Sequence, residues 1–390
     1  MKILFFNYEF PPLGGGAGNA SFYMLREYAK MPGVEVDFVT SSIDEQYQEL
    51  KMGENITIHR LPIGKNNTNI HFQSQKDLLK YSWVAYKFSK QLVKKNNYDL
   101  THSFFSVPCG YLSLRLWKKY KIPYIVSLRG SDVPGYSERF KAIYGLLTPI
   151  ILKVWNNAEF VIANSEGFKE LALKSKPKKE IGVICNGIDT HEFYPDESAR
   201  NEKEIAIICT SRITPRKGIR LLVQAFDILS KRYDNLKLVL VGGGDEKESL
   251  ENLVRSMGIE KKVQFCGVVP HEEIAAYYRK ANVFVLPSFN EGMSNTMLEA
   301  VASGLPILAT DTGGTRELVE EGKNGFILKM GDYNDIAEKL EKLIQDPDLR
   351  NKMGAESRKR AEKMSWENVA KEYVDLYQQT INLRKIREGK

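Results

Sequence analysis

The stretch Val283-Phe284-Val285-Leu286-Pro287-Ser288-Phe289-Asn290-Glu291-Gly292-Met293-Ser294-Asn295-Thr296-Met297-Leu298-Glu299-Ala300 decides the fold. Its first four residues are an unbroken apolar run, the pattern of a strand covered on both faces. A short loop follows, and Ser294 or Asn295 is placed to cap a helix that stops near Gly304-Leu305-Pro306. A helix starting at the carboxyl end of a parallel strand is the repeating unit of an α/β domain. It sets free N–H groups and the positive end of the helix where such domains collect ligands.

The same alternation runs outward in both directions. Upstream, strand-like runs at Lys2–Phe6, Val34–Val39, Ile56–Arg60, Leu100–Ser103, Tyr124–Ser127, Phe160–Ala163 and Gly182–Ile184 are interleaved with helical patterns such as Asn19–Met31, Lys76–Lys95 and Val107–Tyr120. The polar, acidic stretch His191–Glu204 with Pro195 reads as a linker. Beyond it the pattern restarts at Ile205–Cys209 and continues through Lys237–Val241, Val263–Phe265, Val283–Leu286, Pro306–Ala309 and Phe326–Leu328. The expected architecture is α/β: two doubly wound Rossmann-like domains, 1–194 and 195–365, facing each other across a ligand cleft. A long final helix, 366–390, is expected to pack apart from the second domain, back on the first.

Composition agrees with this reading. The chain has 390 residues, 43% hydrophobic and 27% charged, enough for two globular cores and unlike a disordered or collagen-like chain. Cys109, Cys185, Cys209 and Cys266 are widely spaced, show no metal pattern and read as reduced core thiols. No apolar run reaches the roughly 18 residues of a membrane span, and Lys2–Asn7 is too short for an export signal, so a cytoplasmic protein is expected. Residues 1–190 carry 25 Lys and Arg against 17 Asp and Glu, whereas residues 191–390 carry 31 against 32. A basic first half suits an anionic partner, and a solvated Lys-rich surface is the plainer explanation.

Three loops could carry chemistry. Glu291 precedes the helix of the opening stretch, and Glu299 lies about one turn inside it, roughly 6 Å further along. A phosphate at the helix tip would repel two carboxylates, so neutral hydroxyls are their natural partners, a sugar on one side and a ribose on the other. The plain reading, a loop acid and a solvated helix residue, fits Glu299 poorly because its neighbours are apolar. Ser211-Arg212-Ile213-Thr214-Pro215-Arg216-Lys217-Gly218 leaves a strand's carboxyl end with three cations, a site for a diphosphate unless it is merely a basic turn. No Asp-x-Asp pair lies near it, which favours a cationic clamp over a metal bridge. Near the amino end, Gly14-Gly15-Gly16-Ala17-Gly18 joins strand to helix and lets backbone approach a ligand, although it lacks the G-x-G-x-x-G pattern.

Together these residues resemble family four of the retaining glycosyltransferases. The likeness rests on Pro11-Pro12-x-Gly14-Gly15-Gly16, Asn186-Gly187-Ile188-Asp189, Arg212 with Lys217-Gly218, Val263-Gln264-Phe265-Cys266-Gly267, Glu291-x₇-Glu299 and Thr312-Gly313-Gly314. It implies the GT-B fold, a nucleotide-diphosphate-sugar donor on the second domain and an acceptor on the first. It further implies that Arg212 and Lys217 grip the diphosphate and that Glu299 accepts from ribose hydroxyls. Glu291, with backbone N–H groups of Gly292, Met293, Ser294 and Asn295, would hold the donor sugar and α-phosphate. Gly267 and Val268 would line the base, and Gly15 and Gly16 would approach the phosphate. In Ser127-Leu128-Arg129-Gly130-Ser131-Asp132, Arg129 stands where many members have a His facing the donor sugar.

The expected reaction is transfer from a UDP- or GDP-sugar to a glycan, lipid-linked or small-molecule acceptor, with no cofactor, no metal and no nucleic acid. Double displacement would need a carboxylate behind the anomeric carbon, for which Glu291 and Asp132 are the candidates, and front-face substitution is preferred. A non-hydrolysing nucleotide-sugar epimerase shares fold and donor, but no convincing acid–base set emerges among His59, His71, His102, His191 and His271. A dehydrogenase lacks its glycine fingerprint, and a two-lobed binding protein would need export. The segment Lys141–Trp155, apolar between Lys and Trp, suits contact with an anionic membrane surface, on the inner face of the cell membrane, or else a core helix.

Overall fold

The computed structural model describes residues 1–65, 73–136, 141–201, 203–387 and 389. Of the expectations above, His71 lies outside the described residues, as do the side chains of Lys141 and Ala142. The chain divides into two units, Met1–Asn186 with Trp366–Lys390, and Gly187–Ser365.

The first unit runs β1 (Lys2–Phe6), α1 (Gly16–Tyr28), β2 (Glu35–Ser42), β3 (Gln48–Met52), β4 (Ile56–Pro62), α2 (Gln75–Lys95), β5 (Leu100–Phe104), α3 (Tyr111–Tyr120), β6 (Tyr124–Ser127), α4 (Lys141–Asn157), β7 (Phe160–Ala163), α5 (Glu166–Leu173) and β8 (Ile181–Val183). Its sheet has the order β3-β4-β2-β1-β5-β6-β7-β8, parallel except for the β3–β4 hairpin. Ile3, Leu4, Phe5 and Phe6 of the central β1 are all fully buried, as a strand covered on both faces requires. The hairpin strand β3 has no expected counterpart in the sequence. Glu49, Leu50 and Lys51 are all exposed there, so this edge strand shows no apolar run. Helix α3 also starts later than the periodicity suggests, because Ser106–Gly110 forms a separate wide turn in which Val107 leaves helical geometry.

The second unit runs β9 (Ile205–Thr210), α6 (Ile219–Ser230), β10 (Leu236–Val241), α7 (Lys247–Ser256), β11 (Val263–Gly267), α8 (His271–Lys280), β12 (Val283–Leu286), α9 (Asn295–Ala302), β13 (Ile307–Thr310), α10 (Thr315–Leu318), β14 (Gly325–Leu328), α11 (Tyr333–Gln345) and α12 (Pro347–Lys363). The sheet is parallel throughout, ordered β11-β10-β9-β12-β13-β14. The division falls at Asn186/Gly187, earlier than the expected 194/195. The Ile188 N–H donates to the Met364 carbonyl (2.8 Å), the Arg358 guanidinium reaches the Thr190 and Phe193 carbonyls, and Phe193 is buried against Tyr278. These contacts tie residues 188–193 to the second unit.

The last helix, α13 (Trp366–Arg387), belongs to the first unit and packs beside α1. Trp366 stacks on Tyr23 with ring centroids 5.6 Å apart. Deeper in, the Tyr377 hydroxyl lies 2.7 Å from His102 Nδ1 and 2.9 Å from the Tyr28 hydroxyl, and the Tyr373 hydroxyl lies 2.9 Å from Ser127 Oγ. All five groups are buried, so the network satisfies atoms that water does not reach. Among the described residues no helix is long and apolar enough to cross a membrane.

The Tyr377→Phe substitution keeps the ring and strands the polar atoms of His102 and Tyr28. Stability of the first unit should fall by about 1–3 kcal/mol, read as a lower urea midpoint with an unchanged slope. An unchanged midpoint would show that this network does not anchor α13.

Candidate active site

In the second sheet β9 lies between β10 and β12, so the chain leaves it in one direction and returns on the other side. Crossover connections diverge at such a reversal and leave a crevice at the carboxyl ends of the two strands. The two loops there are Ser211–Gly218 after β9 and Pro287–Ser294 after β12. They are stitched together: the Phe289 N–H donates to the Arg216 carbonyl (2.8 Å), and Gly218 sits at φ +64° against Pro287. A Cβ on Gly218 would lie 2.2 Å from the Pro287 carbonyl oxygen, so only glycine permits this approach. The loop after β13 joins from the other side, where the Gly314 N–H donates to the Gly292 carbonyl (2.8 Å).

This stitching brings Lys217 and Glu291 together. Lys217 Nζ lies 2.5 Å from Glu291 Oε1, and the two side chains are only 11% and 8% exposed. A cation and a carboxylate this sheltered hold each other in place, and removing either strands the other's charge. Arg212, on the same loop as Lys217, differs. Its side chain is exposed and makes no hydrogen bond or ion pair among the described residues. Ser294 caps α9, its Oγ accepting from the Met297 N–H at 3.4 Å, and no acid lies in the first turn.

Glu299 is buried, as its apolar neighbours suggest, and the Tyr278 hydroxyl donates to its Oε2 at 2.8 Å. Burial raises its pKa from 4.5 to about 8, outweighing that hydrogen bond, which favours the charged form. Gly267 ends β11 at φ +71°, and its carbonyl accepts from the Gly242 N–H (2.8 Å), while the Val268 side chain stands exposed. A cavity of about 640 Å³ opens elsewhere in this unit, between α8 and strands β9 to β11, and none of these residues lines it.

In the first unit, Gly15 is the N-cap of α1, without a side-chain cap, and Gly16 opens the helix; both are exposed. The Gly15 N–H donates to Glu9 Oε2 at 3.2 Å. Arg129 is held on three sides: it donates to Asn186 Oδ1 (2.6 Å) and to the Tyr373 hydroxyl (3.3 Å), and its guanidinium lies 3.6 Å from the Phe104 ring centre. Burial lowers its pKa.

Asp132, expected among the catalytic carboxylates, is held within its own loop. It accepts from Ser106 N–H and Oγ (2.8 Å each) and from the Arg129 and Gly130 N–H groups (3.0 Å each). Burial raises its pKa against the pull of those four donors. With four donors on its two oxygens and 5% exposure, it ties the 129–132 loop to Ser106. Sequence reading missed Tyr278, Tyr373 and Ser106. Asn186 carried a signal, since it opens the Asn186-Gly187-Ile188-Asp189 motif.

Residues 14–192 match the model for Glycosyltransferase Family 4, and residues 190–360 match that for Glycosyl transferases group 1. The chain belongs to this glycosyltransferase family. An uncharacterized glycosyltransferase of Methanocaldococcus jannaschii is 26% identical over 381 residues, covering 96% of this chain and 99% of the relative. A GDP-mannose-dependent alpha-(1-6)-phosphatidylinositol monomannoside mannosyltransferase of Mycobacterium tuberculosis is 32% identical over 216 residues, 51% of this chain and 56% of that one. Among solved structures, sucrose-phosphate synthase from Thermosynechococcus elongatus superposes with a TM-score of 0.84 at 23% identity, covering 98% of this chain and 100% of that one. That likeness establishes the GT-B fold of the glycosyltransferase.

The raised pKa of Glu299 has a defined consequence for stability. The folded protein holds this proton more tightly than the unfolded chain, so stability is lost as pH rises from about 4.5 through about 8. Glu299→Gln removes the titration. Its melting temperature relative to the parent should therefore climb between pH 5 and pH 8.5, measured by differential scanning fluorimetry. A pH-independent difference would mean that the carboxyl is not destabilised by burial.

Proposed function

We propose that this glycosyltransferase moves a hexosyl group from a UDP- or GDP-sugar to a glycan, lipid-linked or small-molecule acceptor, with retention and without a divalent metal. The observation that carries the reading is the unpartnered Arg212 beside the Lys217–Glu291 pair, at the strand reversal where α/β sheets bind ligands. The tuberculosis relative is named for GDP-mannose, which keeps GDP beside UDP as a donor base.

Arg212 and Lys217 would face the diphosphate, and the capped start of α9 would add its positive end. Glu299, whose carboxyl group has only Tyr278 as a partner among the described residues, would accept from a ribose hydroxyl through a carboxyl oxygen. Glu291, fixed by Lys217, would accept from a donor-sugar hydroxyl. Gly15 and Gly16, at an uncapped helix start, suit a phosphate, and Gly267 and Val268 suit the edge of the base. Arg129, already committed to Asn186 and Tyr373, would present its outer edge to the sugar.

In the reaction, the bond between the anomeric carbon and the β-phosphate oxygen breaks, and its electron pair leaves with the diphosphate. The acceptor oxygen bonds to the same face, and its proton passes to the departing phosphate oxygen. Asp132, enclosed by four donors, is poorly placed to act as a covalent nucleophile, which supports the front-face route. The work is placed in the cytoplasm, with the basic first unit at the inner membrane surface.

Transfer assayed in excess EDTA should retain its rate, whereas Arg212→Ala and Lys217→Ala should each slow turnover by roughly 10²–10³-fold, as for loss of an oxyanion donor. Activity abolished by EDTA and restored by Mg²⁺ or Mn²⁺ would overturn the clamp. Glu299→Ala should weaken nucleotide binding roughly 10- to 150-fold, read by titration calorimetry. Glu291→Ala should cut turnover while nucleotide affinity survives, and equal nucleotide affinity in Glu299→Ala and the parent would refute the ribose assignment. NMR of the product's anomeric proton tests retention.

A further inference from the structure

Helices α2, α3 and α4 lie side by side on the first sheet, and their composition is one-sided. They carry eleven Lys and Arg against one acid, Asp77, and that acid is already spent capping α2 and pairing with Lys65. The helices α1 and α13 of the same unit together hold five cations and four acids. The basic bias of the first half is therefore local to one helical layer.

Large apolar side chains stand exposed in the same layer: Leu79 (72%) and Trp83 (62%) on α2, and Leu146 (78%) and Ile150 on α4. Positions 79, 83, 87 and 90 share one stripe of α2, opposite the buried Tyr81, Ala85 and Ser89. Lys87 Nζ sits 3.6 Å from the centre of the Trp83 ring. Arg115 of α3 reaches the Tyr86 ring of α2, and Lys118 of α3 meets Lys153 of α4, a contact that disfavours the Lys118 charge. The layer thus joins all three helices and holds two like charges together, which an anionic partner would relieve. The core side of α4 is equally clear, with Tyr144, Ile151, Val154 and Trp155 buried. The segment 141–155 is both a core helix and, on its outer side, part of this surface.

We propose that the outer face of α2–α3–α4 docks on an anionic lipid surface, with the cations meeting headgroup phosphates and Trp83, Leu79, Leu146 and Ile150 entering the headgroup–acyl boundary. Charge complementarity names the partner, and the interleaved Trp and Leu distinguish a bilayer from a purely ionic polymer. The proposal locates the membrane contact named under the proposed function, and it is read from residues outside the donor loops.

The test uses the full chain with vesicles of phosphatidylglycerol and phosphatidylcholine, without nucleotide sugar, so it is independent of the transfer reaction. Binding to phosphatidylglycerol vesicles and not to phosphatidylcholine, weakened by salt, is expected. The triple variant Lys87→Glu, Lys118→Glu, Lys153→Glu should lower vesicle partitioning by at least about tenfold, given the energy of each basic residue near an anionic surface. Lys371→Glu on α13 should leave partitioning unchanged. Trp83→Ala with Leu146→Ser should lower partitioning at high salt and blue-shifted tryptophan emission should be lost. Thermal melts of every variant check folding. No binding at low salt, equal loss on Lys371→Glu, or RNA binding as tight as vesicle binding and indifferent to Trp83→Ala with Leu146→Ser would overturn the proposal.

Discussion

A parallel sheet covered by helices on both faces meets solvent only at the ends of its strands, and the chemistry of this enzyme is confined by that constraint. At the carboxyl ends every strand hands over to a helix start, so N–H groups and positive helix ends accumulate on one rim. The chain reverses direction across this rim between β9 and β12. There the loops must pass each other closely enough that a Cβ at Gly218 would strike the Pro287 carbonyl, and one at Gly313 would strike the Glu291 carbonyl. The glycines are needed because the loops converge, and the loops converge because the strands beneath them are adjacent.

The Lys217–Glu291 pair follows from that convergence. Each loop alone would present a sheltered charge, which is costly; together they neutralise one another. On the same loop as Lys217, the Arg212 and Arg216 side chains make no hydrogen bond or ion pair among the described residues. On the reading proposed above, an arriving diphosphate would draw on a fixed, partly satisfied Lys and free Arg side chains. That arrangement differs from a bare cluster of cations, whose mutual repulsion would have to be overcome in folding.

Elements whose signal is local were legible in the sequence. The strand–loop–helix at 283–302 and the buried setting of Glu299 follow from apolar spacing alone. What depends on partners distant along the chain was not. Lys217 and Glu291 are 74 residues apart, and Asp132 is tied to Ser106, 26 residues upstream. Read by itself, Asp132 is a carboxylate in a promising loop; the four donors around it become visible only in the structure. Edge strand β3 was invisible for the opposite reason, since one exposed side of a hairpin needs no apolar run. The domain boundary moved because Ile188 and Phe193 are apolar residues in a polar stretch, and their burial decides which unit claims them.

The two helical layers of the first unit divide the labour that these long-range contacts create. The layer of α1 and α13 is nearly neutral and closes over a buried polar network of His102, Ser127, Tyr28, Tyr373 and Tyr377. Such a network is stable only when its members satisfy one another, because a buried polar atom left without a partner is costly. Arg129 joins it at the edge. It donates to Tyr373 and Asn186 and rests on Phe104, so the last helix of the chain fixes a guanidinium from a loop 244 residues earlier. The opposite layer covers buried hydrogen bonds of its own, Ser113 of α3 with Thr101 and Ser103 and Trp155 of α4 with Ser106, and carries its cations on the outer surface. One domain thus holds a hydrogen-bonded arginine on one side of its sheet, fixed by Asn186, Tyr373 and Phe104, and carries a basic, aromatic face on the other.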